Sequence, residues 1–150
     1  KELISCTIKM LTIHTSGGRE IRSAAKEAFE GTDIKIFGVT TLTSLSDDDT
    51  SEIFNRTTAE QVSAMLDLAE SSGIDGVVCS PHELKLVIQK KSLLSITPGI
   101  RMKDSNDDQK RVMTPKEAID LGADYLVIGR PITNSINIKK SLNEIYESIK

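Results

Sequence analysis

Five short runs of apolar and β-branched residues recur along the chain: Met10-Leu-Thr-Ile-His14, Ile36-Phe-Gly-Val-Thr-Thr-Leu42, Gly76-Val-Val-Cys79, Leu93-Leu-Ser-Ile-Thr97 and Tyr125-Leu-Val-Ile128. They are continuous rather than alternating, as in strands covered on both faces, and this predicts a parallel sheet. Between them the spacing turns helical. Ile21, Ala24, Ala25, Ala28 and Phe29 form one stripe, Val62, Met65, Leu66 and Ala69 a second, and Ile138, Leu142, Ile145 and Ile149 a third. Each stripe fits a helix that buries one face against a sheet.

Helix boundaries are marked by local chemistry. Ser80-Pro-His-Glu83 and Thr114-Pro-Lys-Glu117 each place a hydroxyl before a proline, with a glutamate three residues after the hydroxyl, and Thr57-Thr-Ala-Glu60 repeats the pattern without the proline. In such a capping box the hydroxyl accepts from a free backbone N–H of the first turn, and the glutamate accepts from the N–H of the cap residue. Gly31, Gly73 and Gly122 stand just past the periodic segments, where a helix commonly ends on a left-handed residue. The pattern predicts βαβαβαβαβα, at about 30 residues per unit.

Composition narrows the function. The 150 residues are 38% hydrophobic with a formal charge of −3, enough for one globular domain and without the basic excess that marks nucleic-acid or membrane surfaces. The partner expected is therefore a small molecule. No apolar run approaches the roughly 20 residues of a membrane span, and the first residues lack a signal peptide's apolar stretch, so a cytoplasmic protein is expected. Cys6 and Cys79 have no metal-site or disulfide spacing, and Cys79, at the end of an apolar run, reads as a buried thiol.

Five units fall short of a closed (β/α)8 barrel of about 250 residues, yet could form an open doubly wound sheet. A dinucleotide-binding sheet usually carries GxGxxG after its first strand, and Ser16-Gly-Gly-Arg19 lacks that spacing. A glycine and an arginine instead follow the last strand, in Gly129-Arg130-Pro131. Barrels commonly bind phosphate there. A glycine lets an oxyanion approach the main chain, and a guanidinium can donate two parallel hydrogen bonds to phosphate oxygens. Read alone, Arg130 is equally a solvated residue at a strand end.

A longer stretch of the chain is more specific. SITPGIRMKDSNDDQKRVMTPKEAIDLGADYLVIGRPIT, residues 95 to 133, together with MLTIHTSGG (10 to 18), VTTLTS (39 to 44) and GIDGVVCSPHE (73 to 83), closely resembles the orotidine 5'-phosphate decarboxylase family. The resemblance implies a (β/α)8 TIM barrel, of which residues 1–150 are the C-terminal portion, an incomplete barrel of about five βα units. It implies a homodimer that works without metal or organic cofactor and converts orotidine 5'-monophosphate to UMP in pyrimidine biosynthesis, with no nucleic-acid or membrane partner. Position by position it places Arg130 and the amide of Gly129 on the substrate phosphate and Gln109 between phosphate and pyrimidine. Arg101 becomes a further substrate contact, and Thr43 lies beside the pyrimidine. The alternatives are a strand-end cap for Thr43, a surface polar residue for Gln109 and a solvated charge for Arg101. Residues 102–108, without apolar side chains beyond Met102, would form a mobile lid.

The family's catalytic Asp-x-Lys-x-x-Asp signature is expected ahead of Lys1, so no catalytic residue is assigned and the isolated segment is expected to be inactive. Asp33-Ile-Lys35 is not that signature, because Gly38 stands where the second aspartate belongs. His14, at the end of a predicted strand, receives no role. The competing readings are a related phosphosugar decarboxylase or aldolase of the same barrel group, and a non-catalytic phosphate-binding fragment.

Overall fold

A computed structural model describes residues 8–102 and 112–150. Its five strands are β1 (Met10–His14), β2 (Lys35–Val39), β3 (Gly76–Val78), β4 (Leu94–Thr97) and β5 (Tyr125–Leu126). They form one parallel sheet in the order β1-β2-β3-β4-β5. That order decides between the two architectures left open by the sequence. A doubly wound sheet reverses direction at a switch point, whereas a barrel adds each strand beside the last.

The register sets the two faces. Met10 pairs with Lys35 and Thr12 with Phe37, while Leu11 pairs with Ile36 and Ile13 with Gly38. Paired residues share a face. Leu11, Ile13, Ile36, Val77 and Leu126 belong to the core that the helices cover. Phe37 lies on the opposite face, where its ring meets that of Tyr125 edge-on with centroids 6.0 Å apart. Three strand spacings separate β2 from β5, about 14 Å along a flat sheet. Contact at 6.0 Å requires the sheet to roll toward that face, so Phe37 and Tyr125 stand on the concave side of an arc.

The helices are α1 (Gly18–Ala28), α2 (Asp47–Phe54), α3 (Thr58–Ser71), α4 (Leu84–Val87), α5 (Pro115–Asp120), α6 (Arg130–Thr133) and α7 (Ile138–Ser148). The three expected capping boxes are formed at Thr57, Ser80 and Thr114, the second opening a 3-10 turn ahead of α4. A fourth stands at Ser46, where Asp49 takes the place of glutamate and starts α2, a helix the apolar spacing does not predict. Gly31, Gly73 and Gly122 have φ of 74°, 64° and 94°, the left-handed conformation expected past a helix end.

A second local device recurs after two of those glycines. In Gly73-Ile-Asp75 and Gly122-Ala-Asp124 the aspartate precedes a strand and accepts a backbone N–H of the preceding strand. Asp75 Oδ2 accepts from Ile36 N at 2.8 Å, and Asp124 Oδ2 accepts from Ser95 N at 2.8 Å. The Ser95 hydroxyl completes the second clamp by accepting from Asp124 N at 2.9 Å. Both clamps lie at the N-terminal ends of the strands, the end that barrels use for stability.

The predicted strands differ from the observed ones in one physical respect. Their apolar runs suggest cover on both faces, but on the concave face of the two edge strands Met10 is 38% exposed and Val127, just past β5, is 49% exposed. Helices cover the convex side, and among the described residues nothing covers the concave side at the edges.

Candidate active site at the strand ends

In a parallel sheet all strands point the same way, so every segment that follows a strand emerges at one end. Thr43 follows β2, Arg101 follows β4 and Gly129-Arg130 follows β5. The fold thus brings four of the five predicted site residues to the C-terminal end of adjacent or near-adjacent strands. The fifth, Gln109, lies outside the described residues, as does the predicted lid beyond Met102.

Gly129 is the most informative of them. It precedes α6, it is exposed, and its φ of −99° lies outside the left-handed region that favours glycine. A Cβ built there meets no atom within 4 Å. The strand glycines contrast with it: a Cβ at Gly38 would collide with the Thr15 hydroxyl, and one at Gly76 with the carbonyl oxygen of Leu94. Packing therefore accounts for Gly38 and Gly76 but not for Gly129. The open space beside it is what an approaching ligand needs. Arg130, half-buried, opens the four-residue α6, whose first turn is closed by Ile132 N and Thr133 N donating to Gly129 O at 2.8 and 3.0 Å.

Arg101 is not a solvated charge. Only 6% of it is exposed, and its Nη1 donates to Ile100 O at 2.8 Å. Its N–H donates to Met113 O at 2.9 Å, beside a parallel bridge between Ile100 and Met113. These bonds hold the residue at the root of the segment that leaves β4. A guanidinium buried at the ligand end is a stronger candidate for anion binding than one in open solvent, because water screens it less.

Thr43 is half-buried. Two residues before it, Thr41 is 3% exposed, and its hydroxyl has no hydrogen-bond partner among the described residues. The neighbouring Thr40 hydroxyl is satisfied, donating to Val78 O at 2.9 Å. Sequence reasoning passed over Thr41, since burial without a partner leaves no mark in the sequence. His14 ends β1, exposed on the concave side. Asp33 and Lys35 stand at the opposite end of the sheet, where β2 begins, and this removes them from any site at the strand ends.

Cys79 is buried beneath the helices, and burial, reinforced by the charge of Glu83, pushes its thiol up from 9.0 to about 12. The Thr97 hydroxyl works weakly in the other direction. Among the described residues it has no conventional hydrogen-bond partner and rests against the thiol, a poor acceptor. A thiol that stays protonated is inert as a nucleophile. Among the described residues no group of three or more His, Cys, Asp or Glu side chains is placed to hold a metal ion, and no helix is long and apolar enough to cross a membrane. A cavity of about 630 Å³ lies between α5 and α7 on the helix layer, lined by Lys116, Asp120 and Glu147 among others, and among the described residues none of the predicted site residues lines it.

Comparison with known proteins bears on which ligand such a strand-end site serves. The sequence model of the orotidine 5'-phosphate decarboxylase / HUMPS family matches residues 1–145. The chain belongs to this family. An orotidine 5'-phosphate decarboxylase of Wolbachia pipientis from Culex pipiens is 48% identical over 145 residues, which cover 95% of this chain and 64% of that protein. One from Ehrlichia canis is 44% identical over 148 residues, covering 97% and 65%. Among solved structures, the orotidine 5'-phosphate decarboxylase of Lactobacillus acidophilus superposes with a TM-score of 0.78 at 33% identity, over 95% of this chain and 64% of that one. The chain therefore spans just under two thirds of the family members it matches, and its five-stranded arc is that part of the family's TIM barrel.

Proposed function

We propose that this chain is the C-terminal portion of a single orotidine 5'-phosphate decarboxylase barrel, and that it supplies the grip on the substrate's 5'-phosphate and pyrimidine. The observation that carries the reading is Gly129-Arg130. A glycine without a packing reason and an arginine leave the last strand of a parallel arc at its C-terminal end, where barrels commonly hold phosphate. In this reading Arg130 and the Gly129 amide hold the phosphate, and Gln109 bridges it to the base. Arg101 adds a second positive charge at the strand ends, and Thr43 lies against the pyrimidine.

The reaction replaces a ring carboxylate by a proton, and the charge left on the ring carbon must be stabilised as CO2 departs. The groups that do so are expected in the third of the family barrel outside the match, so the isolated chain is expected to be inactive. The residues here act from a distance. Binding energy from phosphate contacts is available to drive closure and water exclusion, which strengthens the field on the developing charge. The expected homodimer is part of the same proposal and rests on the family resemblance, and the cytoplasmic location rests on the short apolar runs of the sequence.

The test uses a fusion in which the third of the Wolbachia protein outside the match precedes this chain. The fusion is expected to decarboxylate orotidine 5'-monophosphate, with the 150-residue chain alone as the zero-activity reference. In the fusion Arg130→Ala should lower kcat/KM by the equivalent of about 2–5 kcal/mol, the range for losing one partner of a desolvated charge pair. The loss should be confined to the nucleotide and absent with the unphosphorylated nucleoside. Equal losses on both would point to damaged folding, and no loss would reject the grip. A fusion that acts on a phosphosugar and not on the nucleotide would favour the phosphosugar enzyme of the same barrel group.

A further inference from the structure

Arg22 on α1 is a buried cation without an ionic partner. It is 5% exposed, its Nε donates to the Ser72 hydroxyl at 2.6 Å, and its Nη1 donates to Thr15 O at 2.8 Å. Both acceptors are neutral. Among the described residues no carboxylate pairs with it, and its Nη2 has no acceptor. A guanidinium withdrawn from water is costly unless an anion or a full set of acceptors meets it. The side chain lines a cavity of about 250 Å³ between α1 and the C-terminal end of α3, together with Arg19, Ser23, Leu68, Ser71 and Ser72. Among the described residues no aspartate or glutamate lines this cavity. Arg19, Arg22 and Ser23 follow each other at three- and four-residue spacing from position 19, so they share one face of α1. Arg19 and Ser23 are exposed and have no partner among the described residues, which leaves a second guanidinium and a hydroxyl free to donate. The Ser71 and Ser72 hydroxyls already donate to Leu68 O at 3.2 and 2.6 Å, so they shape the wall.

We propose that this cavity is an anion site that takes one phosphate group, held by the guanidinium groups of Arg22 and Arg19 and the hydroxyl of Ser23. Charge favours an anion there. The carbonyl end of α3 brings about half a negative charge and the first turn of α1 about half a positive one, so the two nearly cancel and the arginine charges remain. Size narrows the ligand. The cavity is several times the roughly 30 Å³ of a water molecule, yet below the roughly 300 Å³ at which pockets begin to enclose drug-sized ligands, so it fits a tetrahedral oxyanion with a few waters and does not enclose a nucleotide. A guanidinium offers such an oxyanion two parallel hydrogen bonds. Among the described residues none of the predicted strand-end residues lines the cavity, and α1 with the end of α3 builds it. Because Arg22 already reaches both Ser72 and the turn after β1, an anion held against it ties three parts of the fold together, and binding raises stability.

The experiment uses the fusion with the Wolbachia third, carrying Arg130→Ala to remove the proposed strand-end phosphate contact. Inorganic phosphate is titrated at constant ionic strength against chloride, because added salt alone screens charges. Calorimetric heat and the melting temperature are read together. The expected result is saturable binding and a melting temperature that rises with phosphate. Arg19→Gln combined with Ser23→Ala changes only exposed positions, so it should weaken phosphate binding by about tenfold and leave the melting temperature in chloride near that of its parent. Arg22→Lys keeps the charge but loses the planar fork and should weaken binding as well. Ribose 5-phosphate is titrated in parallel: tighter binding than inorganic phosphate assigns the cavity to the phosphate end of an organic ester, and weaker binding assigns it to the free anion. Absence of saturable phosphate binding, or binding unchanged by the Arg19→Gln and Ser23→Ala pair, would overturn the proposal. Decarboxylation is not part of the readout, so a fusion that binds phosphate here without turning over the nucleotide leaves this site standing and counts against the proposed function instead.

Discussion

Gly38 sits in the middle of β2 because the Thr15 hydroxyl, following the neighbouring strand, occupies the space a side chain would need. Gly129 has no such neighbour. The two glycines therefore make opposite predictions in the fusion. Gly38→Ala should destabilise the fold by about 1–3 kcal/mol, the range for overpacking, and should lower the melting temperature. Gly129→Ala should leave the melting temperature near that of the parent and reduce kcat/KM on the nucleotide. A stability loss at Gly129 would mean that its role is structural. Cys79 gives a prediction in pH. Its folded value, about 12, lies above the ordinary 9.0, so the folded chain holds the proton more tightly than the unfolded one. The resulting stability is complete below about pH 9 and declines as pH rises toward 12. Denaturant melts of the fusion against Cys79→Ala, between pH 8 and 11, should show the alkaline decline in the parent and less of it in the variant. None of these three residues was equally legible. The burial of Cys79 follows from its apolar run, and the Gly-Arg pair marks its own place, whereas the need for Gly38 depends on a residue 23 positions away.

At the level of elements, helix starts were the easiest feature to read. A capping box is complete within four residues, so Thr57, Ser80 and Thr114 announce their helices from sequence alone. Helix α2 escaped because it is short, three of its first residues are aspartates, and its one fully buried side chain is Thr50. It has a cap but no apolar stripe. The strand starts are held by contacts of longer range. Asp75 lies 39 residues from Ile36 and Asp124 lies 29 from Ser95, yet each aspartate ties a strand to its neighbour. Asp124→Ala leaves the N–H of Ser95, 1% exposed, without its acceptor. An unsatisfied buried group costs about 1–3 kcal/mol, so unfolding of the fusion by denaturant should shift by that amount with the slope unchanged. A shift well under about 0.5 kcal/mol would show that water replaces the carboxylate.

The whole molecule is defined by its roll. Phe37 and Tyr125 touch across two intervening strands, and a double-mutant cycle of Phe37→Leu and Tyr125→Leu in the fusion should give a coupling of about 0.5–1.5 kcal/mol. Additive effects would mean that the rings do not meet and that the arc is flatter. What the sequence determined by itself is what each βα unit can decide locally: five parallel strands, the capped helices between them, the glycines that end those helices, and the Gly-Arg pair after the last strand. Strand order lay beyond this local patterning and came only with the family resemblance, because a βαβ unit reads the same whether the next strand joins at its left or right, and the choice is made only when the helices pack. Thr43, Arg101 and Arg130 gather at one end because the strands are parallel, while the arrangement β1-β2-β3-β4-β5 and the rolled concave face follow from that choice. So does the burial of Arg101, which sequence left open between a ligand contact and a solvated charge. Burial is a property of everything packed around a side chain, and a local stretch of residues does not contain it.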